Sequence, residues 1–113
     1  MLCRLDDIAD GGKEVILSDD SPYSLCLVRR NVTVYAYINS CPHTGAPLNW
    51  GADKFLNWDQ TLIQCAFHGA QFQIDDGLCV RGPCLHQRLA AVPVFVRDGD
   101  VILADEDKIV MPR

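Results

Sequence analysis

Short apolar runs alternate with glycine, proline, asparagine and aspartate along this chain. The runs are rich in β-branched and aromatic residues, which favour strands, and they predict seven strands at residues 15–17, 25–29, 32–38, 62–64, 72–74, 91–97 and 101–103. In the third run, apolar residues recur at every second position from Val32 to Ile38, so one face of that strand should be buried. Apolar residues nowhere repeat with a helical period over helix length, although residues 53–59 allow one helical turn. The pattern predicts an all-β fold.

Turn signals divide these strands into hairpins. Asp-Gly pairs at Asp76-Gly77 and Asp98-Gly99 lie between predicted strands and are typical of hairpin turns. A two-residue turn at Arg30-Asn31 should join the second and third strands. The stretch 41–85 differs from the rest, because it holds four of the six cysteines and two of the three histidines. It predicts a site built from loops within a β scaffold.

Length and charge limit the number of domains and the classes of partner that this protein can have. With 113 residues, 49% of them hydrophobic, the chain is expected to form a single domain, residues 1–113. A net charge of −5 argues against binding to nucleic acid, and the apolar runs are too short to span a membrane. The first residues lack a signal-peptide pattern, so we expect a cytoplasmic protein. In that reducing compartment, cysteines indicate metal binding or buried thiols rather than disulfides.

Two Cys/His pairs carry the candidate chemistry. Cys41 and His43 are separated by one residue, Cys65 and His68 by two, and 21 residues lie between the pairs. Two loops that each offer a thiolate and an imidazole suit zinc or an iron–sulfur centre. Structural zinc sites usually pair like residues at wider spacing, so a zinc site on these four residues is the less favoured alternative. A two-iron centre fits better if the cysteines hold one iron and the histidines the other.

This arrangement resembles the Rieske motif, in which two histidines replace two cysteines on one iron of a [2Fe–2S] cluster. Downstream, Asp76-Gly77 and Gly82-Pro83 resemble the hairpin and the proline loop of Rieske ferredoxins. The resemblance implies an antiparallel β-sandwich with a loop-built cluster-binding subdomain at about residues 39–85. It also implies that the proline loop covers a third side of the cluster. The implied ligands are Cys41, His43, Cys65 and His68.

The resemblance further implies an electron carrier rather than an enzyme, since four protein ligands leave no open position for a substrate. Its redox partners would be a flavin reductase and a terminal oxygenase or another acceptor. Ala46 and Phe67 stand where high-potential Rieske proteins carry a loop disulfide, and Ala70 and Phe72 stand where they carry hydroxyl donors. These replacements imply a low potential. The alternatives are a non-enzymatic subunit similar to the small subunit of nitrite reductase, and a cluster-based redox sensor.

The remaining cysteines and aromatics have simpler interpretations. Cys79 and Cys84 are expected to be buried, rather than to form a redox dithiol or a second metal site, and His86 is not expected to be a ligand. Structural roles are expected for Cys3 and Cys26. Aromatic residues between the two pairs predict a small satellite core, with partner docking as the alternative: Trp50, Phe55 and Trp58.

Overall fold

The computed structural model describes residues 2–8, 12–16, 24–30, 32–42, 47–49, 53–57, 59–65, 69–83 and 85–104. Nine strands and one 3₁₀ turn, Leu5–Asp7, make up its regular elements. The strands are β1 Cys3–Arg4, β2 Lys13–Ile16, β3 Ser24–Arg30, β4 Thr33–Ile38, β5 Leu62–Gln64, β6 Gln71–Gln73, β7 Cys79–Arg81, β8 Val94–Arg97 and β9 Asp100–Leu103.

The strands form three antiparallel sheets of three strands each. The sheet orders are β1-β9-β8, β2-β3-β4 and β5-β6-β7. The predicted all-β fold is therefore confirmed. Two strands were not predicted, β1 and β7, because each has only two or three residues and no alternating pattern of its own. The described part of residues 53–59 contains no helix; Leu56 instead pairs with Ile63 in an isolated bridge.

The β2-β3-β4 sheet lies at the centre, with a core on each face. Leu25, Leu27, Ala36 and Ile38 face one core, which they share with residues of β1 and β9. The alternate residues face a second core, which contains the buried side chains of β5, β6 and β7. The prediction of a single buried face for the third strand is thus incomplete. Tyr37, on the other face of this strand, is also buried. Its hydroxyl is satisfied there because it donates to the carbonyl oxygen of Ile74 at 2.6 Å.

The hairpin predictions were right at two turns and displaced at one. Asp98 and Gly99 both have positive φ, 52° and 80°, as a type I′ turn requires, and they join β8 to β9. Gly77 likewise has a φ of 72° between β6 and β7. The turn at Arg30-Asn31 is wrong by one residue, because Arg30 still pairs with Thr33. That register places Val32 in the turn, 71% exposed, where its side chain reaches neither core.

Candidate metal centre

Two of the four predicted ligands lie in the same core. Cys41 comes three residues after the end of β4, and Cys65 directly follows β5. Their exposed fractions are 1% and 0%, and both belong to the hydrophobic cluster on the β5-β6-β7 side of the central sheet. The other two predicted ligands, His43 and His68, lie outside the described residues. The geometry of the complete ligand set therefore stays a prediction.

Two backbone hydrogen bonds link Cys65, which follows β5, to the residues that precede β6. The amide of Cys65 donates to the carbonyl oxygen of Ala70 at 2.8 Å, and the amide of Gly69 donates to the carbonyl oxygen of Cys65 at 3.2 Å. Gly69 has a φ of 68°, which is in the left-handed region that glycine adopts without strain. These bonds hold the backbone of Cys65 against that of Gly69 and Ala70.

The predicted proline loop packs against this second cysteine loop. Gly82 has a φ of 99°, and a Cβ atom placed on it would come within 2.7 Å of the Cα of Ala70. Only glycine permits so close an approach of the two backbones. Pro83 and Leu85 follow on the same loop and are exposed. Gly82 therefore lies against Ala70, whereas the predicted covering of a third side of the cluster by Gly82-Pro83 stays a prediction.

The first cysteine loop is anchored through the residue two positions before Cys41. The side chain of Asn39 is buried, and its oxygen accepts the amide of Leu48 at 2.7 Å. Leu48 itself is fully buried in the same cluster as Cys41. This contact was not predicted, because nothing in the sequence around Asn39 distinguishes it from an ordinary loop asparagine.

Cys3 and Cys26 both have raised thiol pKa values, although Cys26 lies in the same hydrophobic cluster as Cys41 and Cys65. Burial raises the pKa of the Cys26 thiol, and the nearby carboxylate of Glu14 adds to the shift. Burial, followed by the charge of Asp7, also raises the pKa of Cys3. Because metals bind the thiolate, a thiol with a raised pKa is a poor ligand. Cys3 and Cys26 are both buried, in agreement with their predicted structural role.

The predicted burial is confirmed for Cys79, and the prediction that His86 is not a ligand stays a prediction. Cys79 is buried, and its thiol donates to the carbonyl oxygen of Arg81 at 3.1 Å. Cys84 lies outside the described residues. His86 is exposed, with a φ of 74°, and its backbone amide donates to the carbonyl oxygen of Cys79 at 3.2 Å.

The aromatic segment between the two cysteine loops is partly core. Phe55 is fully buried in the same cluster as Cys41 and Cys65, and Leu56 packs with it. Packing was the favoured prediction for this segment, and it is confirmed for Phe55. Trp50 and Trp58 lie outside the described residues.

The donor set fits an iron–sulfur centre. Both thiols lie in a water-excluded cluster, and thiolate sulfur is the ligand that such centres require. Within the described part of the chain, no group of three or more histidine, cysteine or acidic side chains lies close enough to form another metal site. No helix among those residues is long and apolar enough to cross a bilayer.

The three sheets define an all-β protein, and its two buried thiols, Cys41 and Cys65, are of the residue type that a thiolate-bound metal centre needs. The sequence matches the family described as Rieske [2Fe-2S] domain over residues 1–102. The chain belongs to that family, and its cofactor is a [2Fe–2S] cluster.

Known relatives are ferredoxins. The chain is 32% identical over 84 residues to ferredoxin CarAc of Metapseudomonas resinovorans. The aligned region covers 74% of this chain and 73% of the relative. Among solved structures, the ferredoxin of Sphingomonas yanoikuyae B1 has a TM-score of 0.72 and 30% identity over 92% of this chain and 95% of its own. This protein, like those relatives, is an electron carrier and not itself an enzyme.

A third similar structure is a complex of reduced oxygenase and oxidised ferredoxin in carbazole 1,9a-dioxygenase. It has a TM-score of 0.70 and 27% identity, and the match covers 91% of this chain and 89% of the matched chain. In that structure the ferredoxin is bound to an oxygenase.

Proposed function

We propose that this protein transfers single electrons from a flavin reductase to a terminal oxygenase or another acceptor, using a cluster held by Cys41, His43, Cys65 and His68. The observation that carries the proposal is the burial of Cys41 and Cys65 in one cluster, each at the start of a predicted metal-binding loop. The bound [2Fe–2S] cluster supplies reversible one-electron chemistry. Residues 1–113 act as one domain, with residues 39–85 as its cluster-binding part.

The protein's own residues set the environment of that chemistry. Cys41 and Cys65 supply thiolates from a region closed to water, and a dry surrounding lowers the dielectric constant around the centre. Gly82 brings the proline loop against the second cysteine loop, so this side of the site is also covered. The histidines would be the route by which electrons enter and leave, because an imidazole edge at the surface shortens the distance to a partner's cofactor.

The match with an oxygenase–ferredoxin complex favours an oxygenase as acceptor. Around the proline loop, the described residues Arg81, Pro83, Leu85 and His86 are exposed and offer a mixed apolar and basic face beside the second cysteine loop. The loop that carries this face lies against Ala70, five residues after Cys65, and the face is our proposed surface for docking a redox partner.

We place the protein in the cytoplasm. Cysteines that serve as metal ligands, as proposed for Cys41 and Cys65, are typical of a reducing compartment. Fractionation of the source cells tests this directly, and recovery in an extracytoplasmic fraction would contradict it.

The purified protein tests the ligand assignment. We expect about two irons and two sulfides per chain, and uptake of one electron per chain in a coulometric titration. Substitution of any ligand should abolish iron binding, since metal binding and loop folding are coupled at such sites; the variants are Cys41→Ser, Cys65→Ser, His43→Ala and His68→Ala. A colourless protein containing stoichiometric zinc would overturn the proposal.

Matched controls use residues of the same type outside the proposed ligand set. Cys79→Ser and His86→Ala should keep the iron, because Cys79 is already engaged with the Arg81 carbonyl and His86 is exposed. Far-UV circular dichroism verifies that each variant is folded. Loss of iron in the Cys79 variant together with retention in the Cys41 variant would mean that the ligands are assigned to the wrong thiols.

A further inference from the structure

A buried hydrogen-bond network surrounds the side chain of Asn39, at the end of β4. Asn39 is only 3% exposed. Its oxygen accepts the amide of Leu48 at 2.7 Å. Its nitrogen lies within hydrogen-bond distance of three acceptor oxygens: those of Glu14 at 3.1 Å, Ser24 at 3.0 Å and Asn49 at 3.0 Å. Buried polar groups with this many partners are well satisfied, and Asn39 is the one member that bonds to all of the others.

This network closes the first cysteine loop. Asn39 precedes Cys41 by two residues, and Leu48 follows Cys41 by seven. The bond between the Asn39 oxygen and the Leu48 amide therefore ties the two ends of the loop together. The backbone of Asn39 is also fixed, because its amide donates to the carbonyl oxygen of Ser24 at 2.9 Å.

The same network joins the loop to the central sheet and to the segment that follows it. Ser24, on β3, donates its hydroxyl to the Glu14 carboxylate at 2.5 Å, and Glu14 lies on β2. The backbone amide of Glu14 donates to the carboxylate of Asp53 at 2.7 Å. Asp53 has a φ of 58°, an unusual conformation for a residue other than glycine, and this bond helps to hold it.

Only an amide of this length satisfies both sides of the network. The side chain must accept the Leu48 amide with one atom and donate to Glu14 with the other. An aspartate would keep the acceptor but lose the donor, and it would face the Glu14 carboxylate with a second negative charge. A leucine of similar shape would leave both sides unpaired.

We propose that Asn39 is a positioning residue for the metal centre. It holds the first cysteine loop closed, and so keeps the Cys41 thiol at a fixed place against β2 and β3. This inference rests on the proposed ligation by Cys41. If Asn39 has this role, a variant without its side-chain amide should open the loop and release the metal much faster, even while the β-sheets remain folded.

The test compares Asn39→Ala, Asn39→Asp and a control, Ser24→Ala, in the iron-loaded protein. Iron loss to a chelator, measured by visible absorbance below the melting temperature, should be about tenfold faster in Asn39→Ala, because a buried amide is left unpaired. Ser24→Ala should stay close to wild type, since Asn39 keeps its bonds to Leu48 and Glu14. The EPR spectrum of the reduced Asn39→Ala protein should also broaden, as the Cys41 thiolate becomes less uniformly placed.

Hydrogen exchange of the Leu48 amide, followed by mass spectrometry of overlapping fragments, separates the two sides of the network. Exchange should accelerate about tenfold in Asn39→Ala. It should accelerate less in Asn39→Asp, which retains the acceptor. Iron loss should nevertheless be fast in Asn39→Asp, and adding Glu14→Gln to that variant should slow it again, because a donor and an acceptor once more face each other.

Two results would overturn the inference. One is an iron-loss rate and an EPR spectrum in Asn39→Ala equal to those of wild type. The other is iron loss that follows only global unfolding, with a lowered melting temperature and an unchanged EPR spectrum, because Asn39 would then serve the fold alone. Failure of the proposed function looks different: the wild-type protein itself would hold no iron, whereas the exchange of the Leu48 amide would still report on the closed loop.

Discussion

Replacing Gly82 by alanine tests the contact between the proline loop and the second cysteine loop. The added methyl group would lie 2.7 Å from the Cα and 3.1 Å from the Cβ of Ala70, and the first of these atoms belongs to the backbone. Neither neighbour is the end of a flexible side chain, so one loop must move away from the other. The φ of 99° at Gly82 adds backbone strain for any residue with a Cβ.

The expected cost can be divided into two parts with a matched control. Gly69 also has positive φ, 68°, but a Cβ there would meet no atom within 4 Å. Gly69→Ala therefore reports backbone strain alone, about 1–2 kcal/mol. Gly82→Ala carries similar strain plus overpacking, which typically costs about 1–3 kcal/mol. The total for Gly82→Ala is about 2–5 kcal/mol, a large share of the stability of a domain of this size.

The assay is thermal unfolding of both iron-loaded variants by circular dichroism, under one set of conditions. Near 100 residues, 1 kcal/mol lowers the melting temperature by about 4 °C. Gly69→Ala should lose about 4–8 °C and Gly82→Ala about 8–20 °C. Iron should also leave Gly82→Ala faster at temperatures where it is folded, because the cover over the second loop is displaced. Equal melting temperatures for the two variants would refute the close approach of Gly82 to Ala70.

Further predictions concern potential and pH. We expect a potential near the low end of the Rieske range, roughly −150 mV. Ala70→Ser should raise it by about 60 mV, the one-electron equivalent of a hydrogen bond to a charged group; voltammetry showing no change would mean that the hydroxyl does not reach a sulfur. If His43 and His68 are ligands, the potential should be constant at neutral pH and fall by up to about 59 mV per pH unit in alkali, as reduction becomes coupled to proton uptake. Burial raises the pKa of Tyr37 and of Cys26 above the values that these groups have in the unfolded chain. Each group therefore contributes its full stabilisation at pH values below its unfolded-state pKa, and this contribution is lost as the pH rises towards the folded-state pKa. The urea midpoint of the wild-type protein should therefore begin to fall above about pH 9. In Cys26→Ala the fall should begin at a higher pH, and an unchanged starting pH in that variant would argue against the role of the thiol.

Local chemistry explains which parts of the fold were predictable. The turn at Asp98-Gly99 needs two residues with positive φ. An Asp-Gly pair readily adopts that conformation, so this dipeptide alone predicts the position of the turn. The turn after Arg30 lacks such a pair. There the register is decided by the packing of Leu27 and Ala36 in one core and of Val28 and Tyr37 in the other, and it shifts the turn by one residue.

The sequence by itself determined the all-β class and predicted a metal centre built from paired Cys/His loops, because strand periodicity, turn chemistry and ligand type are properties of short segments. Only the tertiary structure decided which distant segments meet. The burial of Cys41 and Cys65 in one cluster, the closure of the first loop by Asn39 and the approach of Gly82 to Ala70 join residues far apart in the chain or ordinary in their local setting. Such contacts depend on how three sheets pack around two cores, and no local pattern encodes that packing.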